Sequence, residues 1–245
     1  MKNDNRILSI SIGKESIVDI LQKVNTFLNS SRSDFFHLVN LNPDIFMFAY
    51  HDEFFRTIIN TADCILIDGI GIKLAAKLTG LVSGERMTGT DLMQLLIKGA
   101  VEKNRKVMFL GGNDSTAELT GKFFKKLYPS LEYIFHPGAV KITQETESEK
   151  REVLNLIKKF QPDLLFVAYG PPIQEKWIYN NRKELKGTVC MGVGGAFKLI
   201  SGQVPRAPKI FTRWGIEWIW RSLVEPARIV KKLPRHILFI IFLLQ

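Results

Sequence analysis

Cysteine, histidine and long apolar stretches are all scarce in this chain. The two cysteines, Cys64 and Cys190, lie in separate apolar runs. That fits buried, reduced thiols in a cytoplasmic protein and is too sparse for a zinc site. His37, His51, His136 and His236 show no ligand spacing, and no D-x-D pair of carboxylates occurs. Nothing at the start resembles a signal peptide, since Met1-Lys2-Asn3-Asp4-Asn5-Arg6 leads into only weak alternation. The apolar run Ile237–Leu244 is eight residues long, whereas a spanning helix needs about 20. Internal repeats, low-complexity stretches and long linkers are also missing.

What the chain does have is a core and an uneven charge. Hydrophobic residues make up 46% and aromatic residues 11% of the 245 positions, enough for one large domain or a domain with an appendage. The formal net charge is +10, of which residues 201–245 carry +6. A basic segment of this kind attracts phosphate in lipid head groups, nucleic acid or a nucleotide leaving group. Trp214, Trp218 and Trp220 are interleaved with Arg213 and Arg221 there. With the short apolar run, this describes either a monotopic membrane element or a helix packed on the domain or in an oligomer.

Short apolar runs at 35–39, 64–67, 107–110, 131–134, 164–168 and 189–193 suit strands buried on both faces. Helical spacing lies between them, as in Ile17-Ile20-Leu21-Val24 and Thr116-Leu119-Phe123-Phe124-Leu127. The alternation predicts an α/β fold, a Rossmann-like, mostly parallel sheet with helices on both faces. Gly202, Pro205 and Pro208 break the pattern. The expected division is a catalytic domain over 1–200 and a basic, tryptophan-rich appendage over 201–245.

Chemistry in such folds gathers at the carboxyl ends of the strands. Asp68 ends the run 64–67 and precedes Gly69 and Gly71. It is either a ligand-facing carboxylate or the N-cap of a helix starting near Ile70. Gly111-Gly112 stands between a strand and a helix beginning near Ser115, either as a phosphate-facing turn or as a simple tight turn. It lacks the G-x-G-x-x-G spacing, and no acidic residue ends the next strand, which disfavours a Rossmann-type oxidoreductase. Arg86 and Thr88 offer a cation and a hydroxyl in the segment Arg86–Asp91, where Thr90 suits the N-cap of the helix through Leu92. In Gly170-Pro171-Pro172-Ile173-Gln174-Glu175-Lys176-Trp177, Pro172 opens a helix whose first turn holds Gln174 and Glu175. Glu175 there also complements the helix dipole, and Trp177 suits the core.

These motifs, with Ile67–Gly71 and Arg206-Ala207-Pro208…Glu217-Trp218…Arg221…Glu225-Pro226, resemble the WecG/TagA/CpsF glycosyltransferase family from about Asn40 to Arg235. The resemblance implies Asp68 as the base that deprotonates an acceptor hydroxyl, with Gln174 and Asn40 assisting. It further implies ligand contacts from Asn42, Arg86, Thr88, Gly111, Gly112, Gly170, Glu175, Lys176, Gly194, Arg206, Arg221 and Arg228. Two positions depart from the family pattern. Asn40 stands where a threonine is usual, and Lys198 ends Gly194-Gly195-Ala196-Phe197-Lys198 where an aspartate is usual.

The implied reaction is an inverting transfer from a UDP-sugar, most simply of N-acetylmannosamine or a relative, to an undecaprenyl-diphosphate-linked sugar. Without D-x-D, no metal and no cofactor are expected, so arginines and helix N-termini must meet the leaving-group charge. The expected setting is the cytoplasmic face of the membrane, peripheral, on an anionic surface, with no nucleic-acid partner. A homo-oligomer is left open. The rival classes are the oxidoreductase and a non-catalytic basic module that binds membrane or nucleic acid.

Overall fold

The computed structural model describes residues 5–30, 33–112, 115–139, 141–208, 210–211, 214, 217–225, 235 and 238–239, apart from the side chains of Trp218 and Arg221. A small antiparallel hairpin, β1 (Arg6–Ile7) with β2 (Ile10–Ser11), comes first. The six expected runs then form six parallel strands: β3 (Phe36–Leu41), β4 (Cys64–Ile67), β5 (Lys106–Gly111), β6 (Glu132–His136), β7 (Leu164–Ala168) and β8 (Val189–Gly192). Their spatial order is β4-β3-β8-β7-β5-β6. From β3 the chain steps outward to β4, and from β5 it steps outward the other way to β6. Strands β7 and β8 then fill the centre. The neighbours β7 and β5 send the chain opposite ways, to β8 and to β6, and such a switch opens a crevice at the carboxyl edge between them.

Helices cover both faces: α1 (Ile17–Leu28), α2 (Pro43–His51), α3 (Glu53–Asn60), α4 (Ile70–Leu78), α5 (Gly89–Glu102), α6 (Thr116–Leu127), α7 (Glu147–Phe160), α8 (Ile173–Asn180), α9 (Ala196–Ile200) and α10 (Glu217–Val224). Alternate residues of each strand point to opposite layers. Leu38, Leu66, Phe109, Phe166 and Met191 pack under α1, α5, α6 and α9. On the other face, Val39, Leu41, Ile65 and Ile67 meet α2, α3 and α4, while Met108, Leu165 and Cys190 meet α7 and α8. Both cysteines are buried free thiols.

Local sequence sets the helix ends. Ser16 and Asp19 form a capping box on α1, and Thr146 with Glu149 forms one on α7. Helices α2 and α3 had no counterpart in the sequence reading. Beyond residue 200 several of the described residues contact the core. Val204 and Ala207 are buried, and Thr116 Oγ1 donates to Gln203 Oε1 at 3.1 Å. Trp220 Nε1 donates to the Pro205 carbonyl at 3.3 Å. Further on, Arg235 Nε meets the buried Asp44 carboxylate at 3.1 Å, and Phe239 packs edge-on against Phe46 at 5.4 Å. Of the apolar run Ile237–Leu244, the described Phe239 is thus part of the core.

Candidate active site

Asp68 follows β4 directly, and its N–H donates to the Leu41 carbonyl at 2.9 Å. This extends the β3–β4 ladder by one residue and fixes the carboxylate at the sheet edge. Helix α4 is capped by Gly69, with no side-chain cap bond, so Asp68 does not cap it. The carboxylate turns instead to α5: Gly89 N–H donates to Asp68 Oδ2 at 3.2 Å. Asp68 therefore sits at the positive end of a fourteen-residue helix, where a negative charge is stabilised.

Asn40 lies beneath the same helix start. A β-carbon at Gly89 would fall 2.5 Å from Asn40 Nδ2, so only glycine lets α5 begin this close to β3. Asn40 is buried; its Nδ2 donates to the Gly192 carbonyl at 2.8 Å, and its Oδ1 has no partner among the described residues. The amide ties the end of β3 to the end of β8.

On the far side of Gly192 lie Gln174 and Glu175, both buried. Gln174 Oε1 accepts from Gly170 N–H and from Gly194 N–H, each at 3.0 Å. Its Nε2 donates to Glu175 Oε1 at 2.7 Å. One side chain thus joins the loops after β7 and β8. A β-carbon at Gly192 would come within 2.5 Å of Gln174 Nε2 and 2.7 Å of Glu175 Oε1. Glu175 Oε2 has no partner among the described residues, and burial pushes this carboxyl up to about 7. Glu175 occupies the first helical turn as expected, but inside the protein.

Other anticipated residues have partners of their own. Thr88, not Thr90, caps α5: Thr88 Oγ1 accepts from Asp91 N–H at 3.1 Å and donates to Asp91 Oδ2 at 2.8 Å. Thr90 is buried one residue into the helix. Arg206 forms an ion pair with Asp91, at the same helix start. Arg86 is bridged to Ile67, next to Asp68. Asn42 caps α2 through Ile45 N–H at 3.0 Å. Lys176 meets Asp52 Oδ2 at 2.6 Å, and Trp177 Nε1 donates to Glu145 Oε1 at 3.2 Å. Gly111 and Gly112, with φ of +90° and +82°, make the turn between β5 and α6. The ring of Tyr169 lies 2.7 Å from where a Gly111 β-carbon would be.

Lys198 lies 3.9 Å from Glu225, so the lysine that replaces the usual aspartate has an acidic neighbour in the C-terminal segment. Arg221 is on α10 with its side chain outside the described residues, and Arg228 lies outside them altogether. Among the described residues no group of three or more His, Cys, Asp or Glu side chains converges as a metal site. Gly89 and Gly192 are the positions that sequence reasoning missed. Their only signal was the absence of a side chain next to a motif.

A parallel sheet with a carboxylate, buried amides and glycine turns along its carboxyl edge defines an open-sheet α/β enzyme. The chain belongs to the Glycosyl transferase WecG/TagA/CpsF family, whose model matches residues 5–245. It is thus a glycosyltransferase, as the motifs implied. It is similar to the N-acetylglucosaminyldiphosphoundecaprenol N-acetyl-beta-D-mannosaminyltransferase of Staphylococcus aureus strain NCTC 8325 / PS 47, at 31% identity over 230 residues, covering 93% of this chain and 88% of that protein. The protein of the same name from strain MRSA252 is 30% identical over the same coverage.

Proposed function

We propose that this enzyme transfers N-acetylmannosamine, or a closely related sugar, from a UDP-sugar to N-acetylglucosaminyl-diphosphoundecaprenol, without metal and with inversion at the anomeric carbon. The relatives' names supply the acceptor and the transferred sugar. The single observation that carries the mechanism is the placing of Asp68. It follows β4, the edge strand beside β3, and accepts a backbone N–H at the start of α5. A carboxylate so placed can accept a proton from a hydroxyl brought to the carboxyl edge of the sheet.

In this scheme the acceptor hydroxyl loses its proton to Asp68 as its oxygen attacks the anomeric carbon. The bond to the UDP oxygen breaks on the opposite face, and that geometry inverts the centre. Gln174 acts by position: its carbonyl holds Gly170 and Gly194, so both loops keep one spacing around the sugar. Asn40 does the same between β3 and β8. Diphosphate charge is met by the N-terminus of α6 beyond Gly111-Gly112 and by the basic segment 201–245, with Arg206, Arg221 and Arg228 first. That segment makes the enzyme peripheral at the cytoplasmic face. Among the described residues no helix is long and apolar enough to cross a membrane.

The test is Asp68→Asn. Asparagine retains an oxygen for Gly89 N–H, so the melting temperature and UDP affinity should hold. Turnover should fall by about 10²–10⁴-fold, the usual contribution of a general base. Near-normal turnover in a folded Asp68→Asn protein refutes the assignment.

A further inference from the structure

Helix α4 turns Ile72, Ala75 and Ala76 into the core. Its opposite face carries Ile70, Leu74 and Leu78, exposed at 46%, 49% and 62%. A spacing of four residues lines these side chains up as one stripe. Val82, past the end of the helix, is also exposed, at 67%. Lys73 and Lys77 stand beside the stripe, and no acidic residue occurs from Gly69 to Gly84. Three large aliphatic side chains aligned in water on one helix face form a patch that a soluble surface does not need.

We propose that this face of α4 docks on an anionic lipid surface and orients the catalytic edge toward the bilayer. The proposal rests on the lipid-linked acceptor given above. An acceptor sugar held to the bilayer by a diphosphate must bring its hydroxyl to Asp68, so the surface beside Asp68 has to meet the head groups. The stripe on α4 starts at Ile70, two residues after Asp68. At 1.5 Å per residue the helix is about 13 Å long, enough to lie in the interface and far too short to cross it.

Charge selects the partner. Apolar side chains flanked by lysines suit acyl chains beneath anionic head groups. A two-fold contact between copies would instead set the lysines of both chains against one another. The C-terminal segment returns to the same helix, since Phe239 lies 3.0 Å from where a Gly71 β-carbon would be. Arg235, at Asp44 of α2, comes to the same layer of the molecule as α4.

The experiment uses the full chain, with Leu74→Glu/Leu78→Glu and Lys73→Gln/Lys77→Gln as variants. Co-sedimentation is measured with phosphatidylcholine vesicles that contain phosphatidylglycerol and with phosphatidylcholine alone. Turnover is measured on acceptor embedded in vesicles and on a short-chain, water-soluble acceptor. The leucine variant should bind anionic vesicles at least roughly tenfold more weakly, as loss of two buried apolar side chains requires. Its turnover on embedded acceptor should fall in step, and its turnover on the soluble acceptor should not change.

The lysine variant should lose roughly fivefold in binding per lysine on anionic vesicles only. Unchanged vesicle binding by a folded leucine variant overturns the proposal. So does scattering that shows an oligomer dissolved by that variant while vesicle binding persists, because the face then joins copies of the chain. Should the double variant misfold, Leu78→Gln at the most exposed of the three stripe positions on α4 provides the same comparison. A wild-type chain inactive on both acceptors, whose vesicle binding still depends on α4, would sink the proposed function and support the docking face.

Discussion

Replacing Glu175 by glutamine tests the electrostatics of the buried pair on which the site is built. Burial raises the Glu175 carboxyl from 4.5 to about 7. Its Oε1 is held by Gln174 Nε2, while Oε2 has no partner among the described residues. In the unfolded chain this group ionises near its ordinary value; in the folded protein it resists ionisation until pH nears 7. The neutral form therefore contributes stability fully below pH 4.5, and that contribution is lost as pH rises through about 7.

At 1.36 kcal/mol per pH unit the gap corresponds to at most about 3 kcal/mol. Glutamine is isosteric and cannot ionise, and its carbonyl can accept from Gln174 in the same place. Denaturant unfolding at pH 5 and pH 8 should show the wild type losing up to about 3 kcal/mol more than Glu175→Gln between the two. Turnover of the variant near pH 6, where the wild-type residue is mostly neutral, should be within severalfold of normal. Equal pH dependence of stability in the two proteins refutes the reasoning, and so does loss of turnover at pH 6, which would make the ionised carboxylate essential.

Removing divalent ions with EDTA should leave the transfer rate unchanged within about twofold, since the leaving diphosphate is assigned to helix N-termini and arginines; a large loss restored by Mg²⁺ or Mn²⁺ would overturn that assignment. Gly192→Ala places a β-carbon 2.5 Å from Gln174 Nε2, with no free volume to accept it. It should lower stability by about 1–3 kcal/mol and lower turnover as well, measured by thermal unfolding and initial rates.

Five strands were legible because they are largely buried on both faces and so read as apolar runs; β6, expected to be buried likewise, lies at the sheet edge with no buried residue. All six runs became its strands. Helices α2 and α3 were not legible for a related reason. In α2, Ile45-Phe46-Met47-Phe48-Ala49-Tyr50 is apolar almost all round, and its period says neither strand nor helix. The hairpin β1–β2 turns through Leu8 and Ser9 at φ of +45° and +64°, where the usual Gly or Asn signal is missing. Asp68 was located correctly at a strand end, but its partner Gly89 lies 21 residues away, on a different helix. No local pattern reports a contact of that range.

The motif Gln174-Glu175-Lys176-Trp177 shows why sequence order overstates how closely residues cooperate. Adjacent positions on a helix differ by about 100° in direction, so four in a row cover the whole circumference. Gln174 and Glu175 turn toward Gly192 and the strand ends. Lys176 turns to the N-cap of α3 at Asp52, and Trp177 turns to Glu145 and Tyr169. Only the first pair borders Gly192, whose carbonyl accepts from Asn40. The second pair fixes α8 against α3 and against the segment before α7, and so holds the first pair in register with the sheet. A run of four side chains thus divides into two that shape the site and two that brace it.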